Sequence, residues 1–449
     1  MVQFLALLYW VPRVLVLYGD LPGPAAWGLF VLMVAILGCY PAAVCALTRY
    51  CMNRGGTGFL LVFAPAWVVL EYVRSRFPFG GFPWLLLGYS QTDSLRLLQA
   101  ADLAGVYGIS FLIAWVNTAL VWTWLHRRYG RRACGPILSA GVLLTACLAY
   151  GSAELRRWDQ VRPEYRAALL QGNLSVDEPE PALTEKYKKG YVRMADRLGS
   201  APVDLLILPE SPSPVIFQHD RGYRETMQDL AHRFPLGVVF NNIRFSNENG
   251  AERYFNSAFF LDQSGIEIGV YDKIHLVPFG EYVPYKRLFF FSQMISRDVG
   301  DFQPGDHYLT VPLRGREVNA IICFEAVFPD ICREFVHRGS ELIINLTNDG
   351  WYGNSSAPYQ HLAMARWRAV ETRRYLLRAA NSGITAVIGP AGRIQAQTAL
   401  FREETAIGSF SFLTGRSFYV RHGSSLFILC VIILFAALFW SLLKGARAR

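Results

Sequence analysis

The sequence predicts an α/β domain inserted between membrane-spanning helices. Several stretches of about 20 residues or more carry no charge, and this is the length that an α-helix needs to cross the hydrocarbon layer of a bilayer. Before the last of these stretches, short β-type runs alternate with helical stretches. The runs are continuously apolar, which is typical of sheets that are covered on both faces.

The membrane prediction rests on composition and on where the charges fall. Of the 449 residues, 52% are hydrophobic, and the mean hydropathy is +0.23, between the values of soluble and purely membrane proteins. The charge-free stretches are 21–48, 103–125, 133–153 and 424–443, and the apolar segments 1–18 and 57–70 are further candidates. We therefore expect a transmembrane domain of about five helices over residues 1–155, an α/β domain over residues 160–412, and a C-terminal transmembrane helix over residues 424–443.

The basic residues predict an orientation. Arginines at 49 and 54 share one loop, four arginines between 127 and 132 share another, and three basic residues end the chain. With five spans before the α/β domain, these groups fall on one side, which the positive-inside rule makes cytoplasmic. We therefore expect a multi-pass protein of a bacterial inner membrane with a periplasmic α/β domain. Part of the net charge of +9 lies in these loops, and no basic–aromatic patch predicts nucleic-acid binding.

The α/β domain contains eight β-type runs and three long helical stretches. The runs are 166–171, 205–208, 236–241, 257–261, 266–271, 319–323, 341–346 and 385–388, and the helical stretches are 183–198, 223–233 and 358–378. Three reactive side chains lie at or just after the ends of these runs: Glu210, Lys273 and Cys323. Each residue alone is more often structural. Together, a carboxylate, an amine and a thiol at strand ends favour a base, an oxyanion partner and a nucleophile whose pKa the lysine lowers.

These segments resemble a known superfamily. Leu208-Pro209-Glu210-Ser211, the stretch around Lys273 and Cys323-Phe324-Glu325 are similar to the Glu-Lys-Cys triad of the nitrilase, or carbon–nitrogen hydrolase, superfamily. Other stretches resemble its membrane-bound branch, the apolipoprotein N-acyltransferases: they are 276–284, 348–353, 360–366, 81–84, 88–91 and 419–423. The resemblance covers nearly the whole chain.

The resemblance implies a nitrilase-like α-β-β-α sandwich set on a polytopic helical membrane domain. It implies Glu210 as the base, Lys273 as the oxyanion residue and Cys323 as the acyl carrier, with Glu281 and Glu325 in support. The implied reaction moves a fatty acyl chain from a membrane phospholipid, through a cysteine thioester, to the α-amino group of the diacylglyceryl-cysteine of an apolipoprotein. No cofactor and no metal are expected, and the protein is expected to act as a monomer.

Three features differ from the family pattern. The family usually has more N-terminal spans. It often has tyrosine where this chain has Phe324, and a tryptophan is expected after Asn173 but is absent from residues 174–181.

Two aromatic features are candidates for contacts with substrate. Phe289, Phe290 and Phe291 follow two basic residues, and we weigh a loop that dips into the membrane interface equally against a core segment. Trp351 is a second candidate for a lid over the site.

Other polar residues have structural explanations. The arginines 366, 368, 373, 374 and 378 are expected on one helix, more as a solvated face with ion pairs than as a site for lipid headgroups. His275 and His361 are expected to be structural. A Cys323–Cys332 disulfide is disfavoured, because the first cysteine ends a strand and the second lies in a helical stretch.

Two other functions remain open. A membrane-tethered amidase or nitrilase would use the same triad with water as the second substrate, but one anchor would suffice for it. An inactive, lipoprotein-binding membrane protein would have no need for the intact Glu210, Lys273 and Cys323.

Overall fold

A computed structural model describes residues 1–128, 134–175, 180–248, 251–282 and 302–447. The chain forms two compact units. The first comprises Met1–Tyr9, Gly28–Gln160 and Ser417–Arg449, and the second comprises Trp10–Trp27 and Val161–Arg416.

The N-terminal third and the C-terminal end of the chain are helical. The helices there are α1 Val2–Leu7, α2 Val11–Leu17, α3 Gly23–Gly55, α4 Phe63–Arg74, α5 Leu95–Leu98, α6 Ala101–His126, α7 Gly135–Trp158, α13 Phe418–His422 and α14 Ser425–Arg447. Within the described residues, four helices are long and apolar enough to cross a membrane: Gly23–Arg54, Ala101–His126, Gly135–Trp158 and Ser425–Lys444. They overlap the four charge-free stretches of the sequence.

The first apolar segment differs from the expected span. Residues 1–18 form two short helices, Val2–Leu7 and Val11–Leu17. A helix of this length is only about 10 Å long, a third of the hydrocarbon thickness. Pro12 explains why the helix is interrupted between Leu7 and Val11. Its ring clashes with the backbone of a preceding helical turn, and it has no N–H to donate. Proline therefore fits only in the first turn of a helix, where Pro12 lies.

The segment expected around residues 57–70 forms a 3₁₀ turn, Thr57–Val62, that continues into α4. Val62 and Ala66 pack with Val44 and Leu434 in a small apolar cluster. Farther along α4, Glu71 and Arg74 are buried. The backbone N–H of Leu87 donates to Glu71 Oε1 at 2.6 Å, and Arg74 Nη1 donates to the carbonyl of Trp84 at 3.0 Å. These two charged side chains therefore hold the chain that follows α4.

The second unit contains two mixed, six-stranded sheets. The first has the order β12-β1-β2-β3-β4-β5 and the second the order β11-β10-β9-β8-β7-β6. Three neighbouring strands in each sheet are parallel, and the outer strands are antiparallel. The strands are β1 Tyr165–Gln171, β2 Leu205–Ile207, β3 Val238–Glu248, β4 Ala251–Leu261, β5 Glu267–Asp272, β6 Val311–Leu313, β7 Arg316–Ile322, β8 Leu342–Thr347, β9 Leu376–Ala380, β10 Ala386–Ile388, β11 Ile394–Gln397 and β12 Glu404–Phe410.

Helices cover the outer face of each sheet, so the predicted α-β-β-α sandwich is confirmed. The helices of this unit are α8 Glu180–Glu185, a π-helical turn Lys186–Gly190, α9 Tyr191–Asp196, α10 Arg221–His232, α11 Pro329–His337 and α12 Ala357–Thr372. Tyr191 and Met227 pack with Leu206 and Phe240 on the first sheet. The sheets also approach each other closely, since a Cβ atom on Gly408 in β12 would lie 2.8 Å from the side chain of Val387 in β10.

The expected solvated face of arginines is wrong. Helix α12 ends at Thr372, Arg373 takes a left-handed φ of +54°, and Arg378 lies in β9 rather than on the helix. Four of the five side chains are buried: Arg368, Arg373, Arg374 and Arg378. Arg374 Nε, for example, donates to the carbonyl of Ser340 at 2.7 Å. These guanidinium groups satisfy buried acceptors instead of facing solvent.

Candidate active site

The three reactive side chains emerge where strands end. Glu210 lies three residues beyond β2, Lys273 follows β5 directly, and Cys323 follows β7 directly. The Cys323 thiol and the Lys273 ammonium lie close enough to the Glu210 carboxylate to affect its pKa, and Asn256 Nδ2 donates to both Glu210 and Glu281, the carboxylate that pairs with Lys273. The two sheets therefore bring the predicted base, cation and thiol together.

Glu210 is a partly buried carboxylate held by two donors. Asn256 Nδ2 donates to its Oε1 at 2.9 Å, and the backbone N–H of Asn348 donates to its Oε2 at 2.9 Å. Burial raises the pKa of Glu210, although the Lys273 ammonium opposes the rise. A carboxyl group with a raised pKa is a stronger proton acceptor than an exposed one.

Lys273 is a buried cation, with only 1% of its surface exposed. Its Nζ pairs with both oxygens of Glu281, at 2.9 Å and 2.8 Å. Burial alone lowers the pKa of Lys273, but the nearby carboxylates of Glu281 and Glu210 outweigh it and the pKa is raised. The side chain therefore keeps a fixed positive charge inside the site.

Cys323 begins a 3₁₀ turn, Cys323–Val327, with a φ of +49°. The left-handed region costs a residue with a Cβ on the order of 1 kcal/mol, and such strain occurs often at functional sites. The side chain is 5% exposed. Lys273 lowers the pKa of the thiol, as expected, but burial and the Glu210 carboxylate outweigh it and the pKa is raised. The resting sulfur is therefore protonated, and its proton must leave as it attacks.

Glu325 is fully buried and accepts four hydrogen bonds. The donors are the Tyr271 hydroxyl at 2.7 Å and the backbone N–H groups of Ile274 at 2.9 Å, His275 at 3.1 Å and Ile322 at 2.7 Å. Burial raises the pKa of Glu325 to about 7. Its carboxylate thus ties the segment after Lys273 to the residue before Cys323.

A second polar cluster contacts the backbone of Cys323. His361 Nε2 is 3.1 Å from the carbonyl oxygen of Cys323, and His361 Nδ1 is 2.8 Å from Asp349 Oδ1. Arg378 Nη2 donates to Asp349 Oδ2 at 2.7 Å. All three side chains are fully buried. Burial opposes ionisation of Asp349, but the two basic neighbours prevail and lower its pKa to about 2.

Of the candidate lid residues, the structure describes Trp351 but not the three phenylalanines. Trp351 lies in the 3₁₀ turn Asp349–Tyr352, is 38% exposed, and packs edge-on against Tyr18 with ring centroids 4.7 Å apart. Phe289, Phe290 and Phe291 lie outside the described residues. In the parts of the chain that the structure describes, no group of three or more His, Cys, Asp and Glu side chains could hold a metal ion. Cys323 and Cys332 are both free thiols, as expected.

Sequence reasoning missed Asn256. Its Oδ1 accepts from Asn241 Nδ2 at 2.7 Å, which fixes the orientation of the amide. Its Nδ2 then donates to Glu210 at 2.9 Å and to Glu281 at 2.8 Å. The available signal was a polar residue placed immediately before the apolar run 257–261.

The fold and the site are those of the carbon–nitrogen hydrolase class of proteins. Residues 166–417 match the carbon–nitrogen hydrolase family model, and residues 1–119 match the model of the apolipoprotein N-acyltransferase N-terminal domain. The solved nitrilase-superfamily protein Nit3 of Saccharomyces cerevisiae aligns with a TM-score of 0.42 and 18% identity, over 59% of this chain and 95% of that chain.

Relatives along nearly the whole chain make the assignment more specific. The apolipoprotein N-acyltransferase of Geobacter metallireducens is 39% identical over 95% of this chain and 82% of its own length. Those of Methylococcus capsulatus and Bradyrhizobium diazoefficiens are 34% and 33% identical, over 90% and 87% of this chain and 79% and 74% of their own lengths. The chain belongs to the apolipoprotein N-acyltransferase family, and it is an acyltransferase.

Proposed function

We propose that this enzyme transfers a fatty acyl chain from a membrane phospholipid to the α-amino group of the diacylglyceryl-cysteine of an apolipoprotein, with Cys323 as the acyl carrier. The observation that supports this assignment is the convergence of the Cys323 thiol, the Glu210 carboxylate and the Lys273 ammonium in one buried site. A thioester is a reactive acyl carrier that an amine can attack, which suits transfer between two lipid-anchored molecules.

In the first half-reaction, Glu210 takes the thiol proton while Cys323 Sγ attacks an ester carbonyl of the phospholipid. The bond between sulfur and the acyl carbon forms, and the Lys273 ammonium stabilises the negative charge that develops on the carbonyl oxygen. The ester carbon–oxygen bond then breaks. Glu210 gives the proton to the departing alkoxide oxygen, which becomes the hydroxyl of the lysophospholipid, and an acyl-thioester remains on Cys323.

In the second half-reaction, the free amine of the acceptor attacks the thioester. The carbon–nitrogen bond forms, the carbon–sulfur bond breaks, and Glu210 passes the proton of the amine to the sulfur. Exclusion of water protects the intermediate, since hydrolysis would release free fatty acid.

The supporting residues act on these three groups. Glu281 keeps Lys273 charged and in place, and Glu325 holds the backbone on both sides of the site, so both act as positioning residues. Trp351 remains a candidate for a substrate contact at the partly exposed end of the turn Asp349–Tyr352. We assign the same role to the aromatic segment at residues 289–291 from its sequence.

The cellular setting follows from the charges and the candidate spans. We place the protein as a monomer in a bacterial inner membrane, with transmembrane segments in residues 1–155 and 424–443. The catalytic domain, residues 160–412, would face the periplasm.

The test is the covalent intermediate. Incubation of the purified protein with phospholipid alone should add one fatty acyl chain to Cys323, detected by mass spectrometry of the peptide that contains it. The thioester should persist until a diacylglyceryl-cysteine peptide with a free amino group is added. An acetylated peptide should leave it intact, as ping-pong transfer requires.

A matched pair of variants controls this test. Cys323→Ala should abolish the adduct, while Cys332→Ala, which removes the other buried thiol of this unit, should keep it. Rapid release of fatty acid without an acceptor would instead favour a membrane-tethered hydrolase. An adduct that survives in the Cys323→Ala variant would remove this residue from the mechanism.

A further inference from the structure

We propose that His361 is a positioning residue for the nucleophile and acts through the backbone carbonyl of Cys323. The proposal rests on the proposed role of Cys323 as the acyl carrier. It assigns a function in the reaction to a side chain of helix α12.

The proton on His361 Nε2 follows from its partner. A carbonyl oxygen can only accept a hydrogen bond, so the 3.1 Å contact between Nε2 and the oxygen of Cys323 requires a proton on Nε2. Nδ1 faces an acceptor, Asp349 Oδ1 at 2.8 Å, and a donor, Arg378 Nη2 at 3.2 Å. The charged ring donates to both the carbonyl and Asp349. The neutral ring keeps the bond to the carbonyl as the Nε2–H tautomer, in which Nδ1 accepts from Arg378 Nη2.

This bond bears directly on the direction of the sulfur. Cys323 holds a left-handed φ of +49°, which its Cβ disfavours, so the turn needs fixed anchors. One anchor acts before the residue, where the backbone N–H of Ile322 donates to Glu325 Oε2 at 2.7 Å. His361 supplies the anchor after it. Because the carbonyl carbon and Cβ share one Cα atom, fixing the carbonyl also fixes the Cα–Cβ bond that aims Sγ.

The imidazole is itself held by buried charges. Arg378 Nη1 donates to Asn345 Oδ1 at 2.5 Å and Arg378 Nη2 donates to Asp349 Oδ2 at 2.7 Å, so β8 and β9 both brace the aspartate that contacts the ring. Gly383 leaves the space for this carboxylate, since a Cβ atom there would lie 2.3 Å from Asp349 Oδ2. A cluster with this many buried contacts fixes one ring orientation.

Two amide substitutions separate the two sides of the ring. In His361→Gln, the longer amide places an N–H near the position of Nε2 and keeps a donor for the Cys323 carbonyl. In His361→Asn, the shorter amide stays near the position of Nδ1 and keeps a partner for Asp349 and Arg378 but cannot reach the carbonyl. A purely structural role would make the variant that keeps the charged partners, His361→Asn, at least as active as His361→Gln.

The measurement is the single-turnover rate of thioester formation on Cys323 from phospholipid. Misdirection of a nucleophile by about 1 Å can cost on the order of 10²-fold, so we expect a loss of that size in His361→Asn at saturating phospholipid. The phospholipid concentration that gives half of the maximal single-turnover rate should not change. His361→Gln should stay within roughly tenfold of the wild-type rate, because it loses only hydrogen bonds at Nδ1. Equal rates in His361→Asn and the wild type, or equally slow His361→Gln and His361→Asn variants, would overturn the proposal.

Two further measurements keep it testable. Alkylation of Cys323 by iodoacetamide reports the reactivity of the thiol without any lipid, and it should slow in His361→Asn but not in His361→Gln. If the wild type forms no thioester, the proposed function fails, while this alkylation still tests His361. If neither variant folds, ¹⁵N spectra of histidine in the wild-type protein decide, because a ring protonated only at Nδ1 would contradict the proposal.

Discussion

Asn256 balances the charges of the site at the scale of a single residue. Two carboxylates, Glu210 and Glu281, flank one ammonium, Lys273, in a region with little access to water. The two hydrogens of one amide group reach both carboxylates, at 2.9 Å and 2.8 Å. A neutral donor at this point reduces repulsion between like charges without neutralising either one.

The first prediction concerns this amide. Asn256→Asp should slow thioester formation on Cys323 by about 10²-fold or more, because it replaces a donor with a third carboxylate and disturbs the base and the cation together. Single-turnover kinetics measures the rate. Asn247→Asp, on an exposed part of the neighbouring strand β3, should leave it unchanged. A normal rate in Asn256→Asp would show that the amide has no part in the balance of charges.

The second prediction concerns acid stability. The basic neighbours of Asp349 lower its pKa from an ordinary 3.8 to about 2. A carboxyl group with a lowered pKa stabilises the fold above its unfolded pKa and loses that effect as the pH falls through its folded pKa. Asp349 should therefore contribute up to about 2 kcal/mol near neutral pH, lost between about pH 4 and pH 2.

Denaturant unfolding from pH 5 to pH 2 checks this contribution. Asp349→Asn should be less stable than the wild type at pH 5, and the difference should shrink towards pH 2. Asp229→Asn, on the exposed side of α10, should follow the wild-type curve at every pH. A stability difference that does not depend on pH would mean that packing, and not charge, explains the effect of Asp349.

At the scale of elements, the sequence predicts the strand ends better than the elements between them. Apolar runs with a charged or nucleophilic residue at the end predicted where Glu210 and Cys323 lie, because β2 and β7 are buried strands with parallel neighbours and a strong local signal. Lys273 follows β5, an antiparallel edge strand, where the apolar run is the only signal. The stretch 358–378 was predicted as one helix, but β9 begins at Leu376. The leucines, alanines and arginine of β9 favour a helix locally. The pairing of β9 with β8 on one side and with β10 on the other overrides that preference.

Contacts between distant elements left weaker signals. His361 reaches the Cys323 carbonyl from another element, and the amide of Asn256 acts across two strands, so neither contact has a spacing that a sequence pattern can reveal. The prediction of a solvated arginine face was wrong for the same reason. A guanidinium group in a polar stretch suggests solvent until the tertiary structure places carbonyl acceptors around it.

The third prediction concerns the packing of the two sheets. Gly408→Ala should destabilise the protein by about 1–3 kcal/mol, because the added methyl group overpacks the space against Val387, where its Cβ would lie 2.8 Å from side-chain atoms. Denaturant unfolding measures the change. Gly415→Ala, where a Cβ would meet no atom within 4 Å, is the matched control and should be nearly neutral. Equal stability of the two variants would mean that the sheets separate easily at this point.

At the scale of the whole molecule, the chain joins chemistry on lipids to helices that can hold it in a membrane. Four helices among the described residues are long and apolar enough to span a bilayer, and the 3₁₀ turn at Thr57–Val62 with α4 adds a segment of about 30 Å. The segment 1–18 does not form a continuous span, but this does not change the side of the catalytic domain relative to the basic residues at 49–54, which depends only on the three segments between them. The positive-inside rule predicts that the arginines at 49–54 and 127–132 face the cytoplasm and that the catalytic domain lies outside.

The last prediction tests this orientation directly. Single cysteines are introduced at Arg54 and at Ser264, an exposed residue in the turn between β4 and β5, with the exposed Cys39 and Cys45 replaced by serine. A membrane-impermeant thiol reagent added to the periplasmic side of intact cells should label Ser264→Cys and should reach Arg54→Cys only after the inner membrane is opened. The parent protein without either new cysteine measures labelling of the remaining thiols. The reverse pattern would place the catalytic domain in the cytoplasm and overturn the predicted orientation. Labelling at both sites would mean that one of the three segments between residue 54 and the catalytic domain, residues 57–74, Ala101–His126 or Gly135–Trp158, does not cross the membrane.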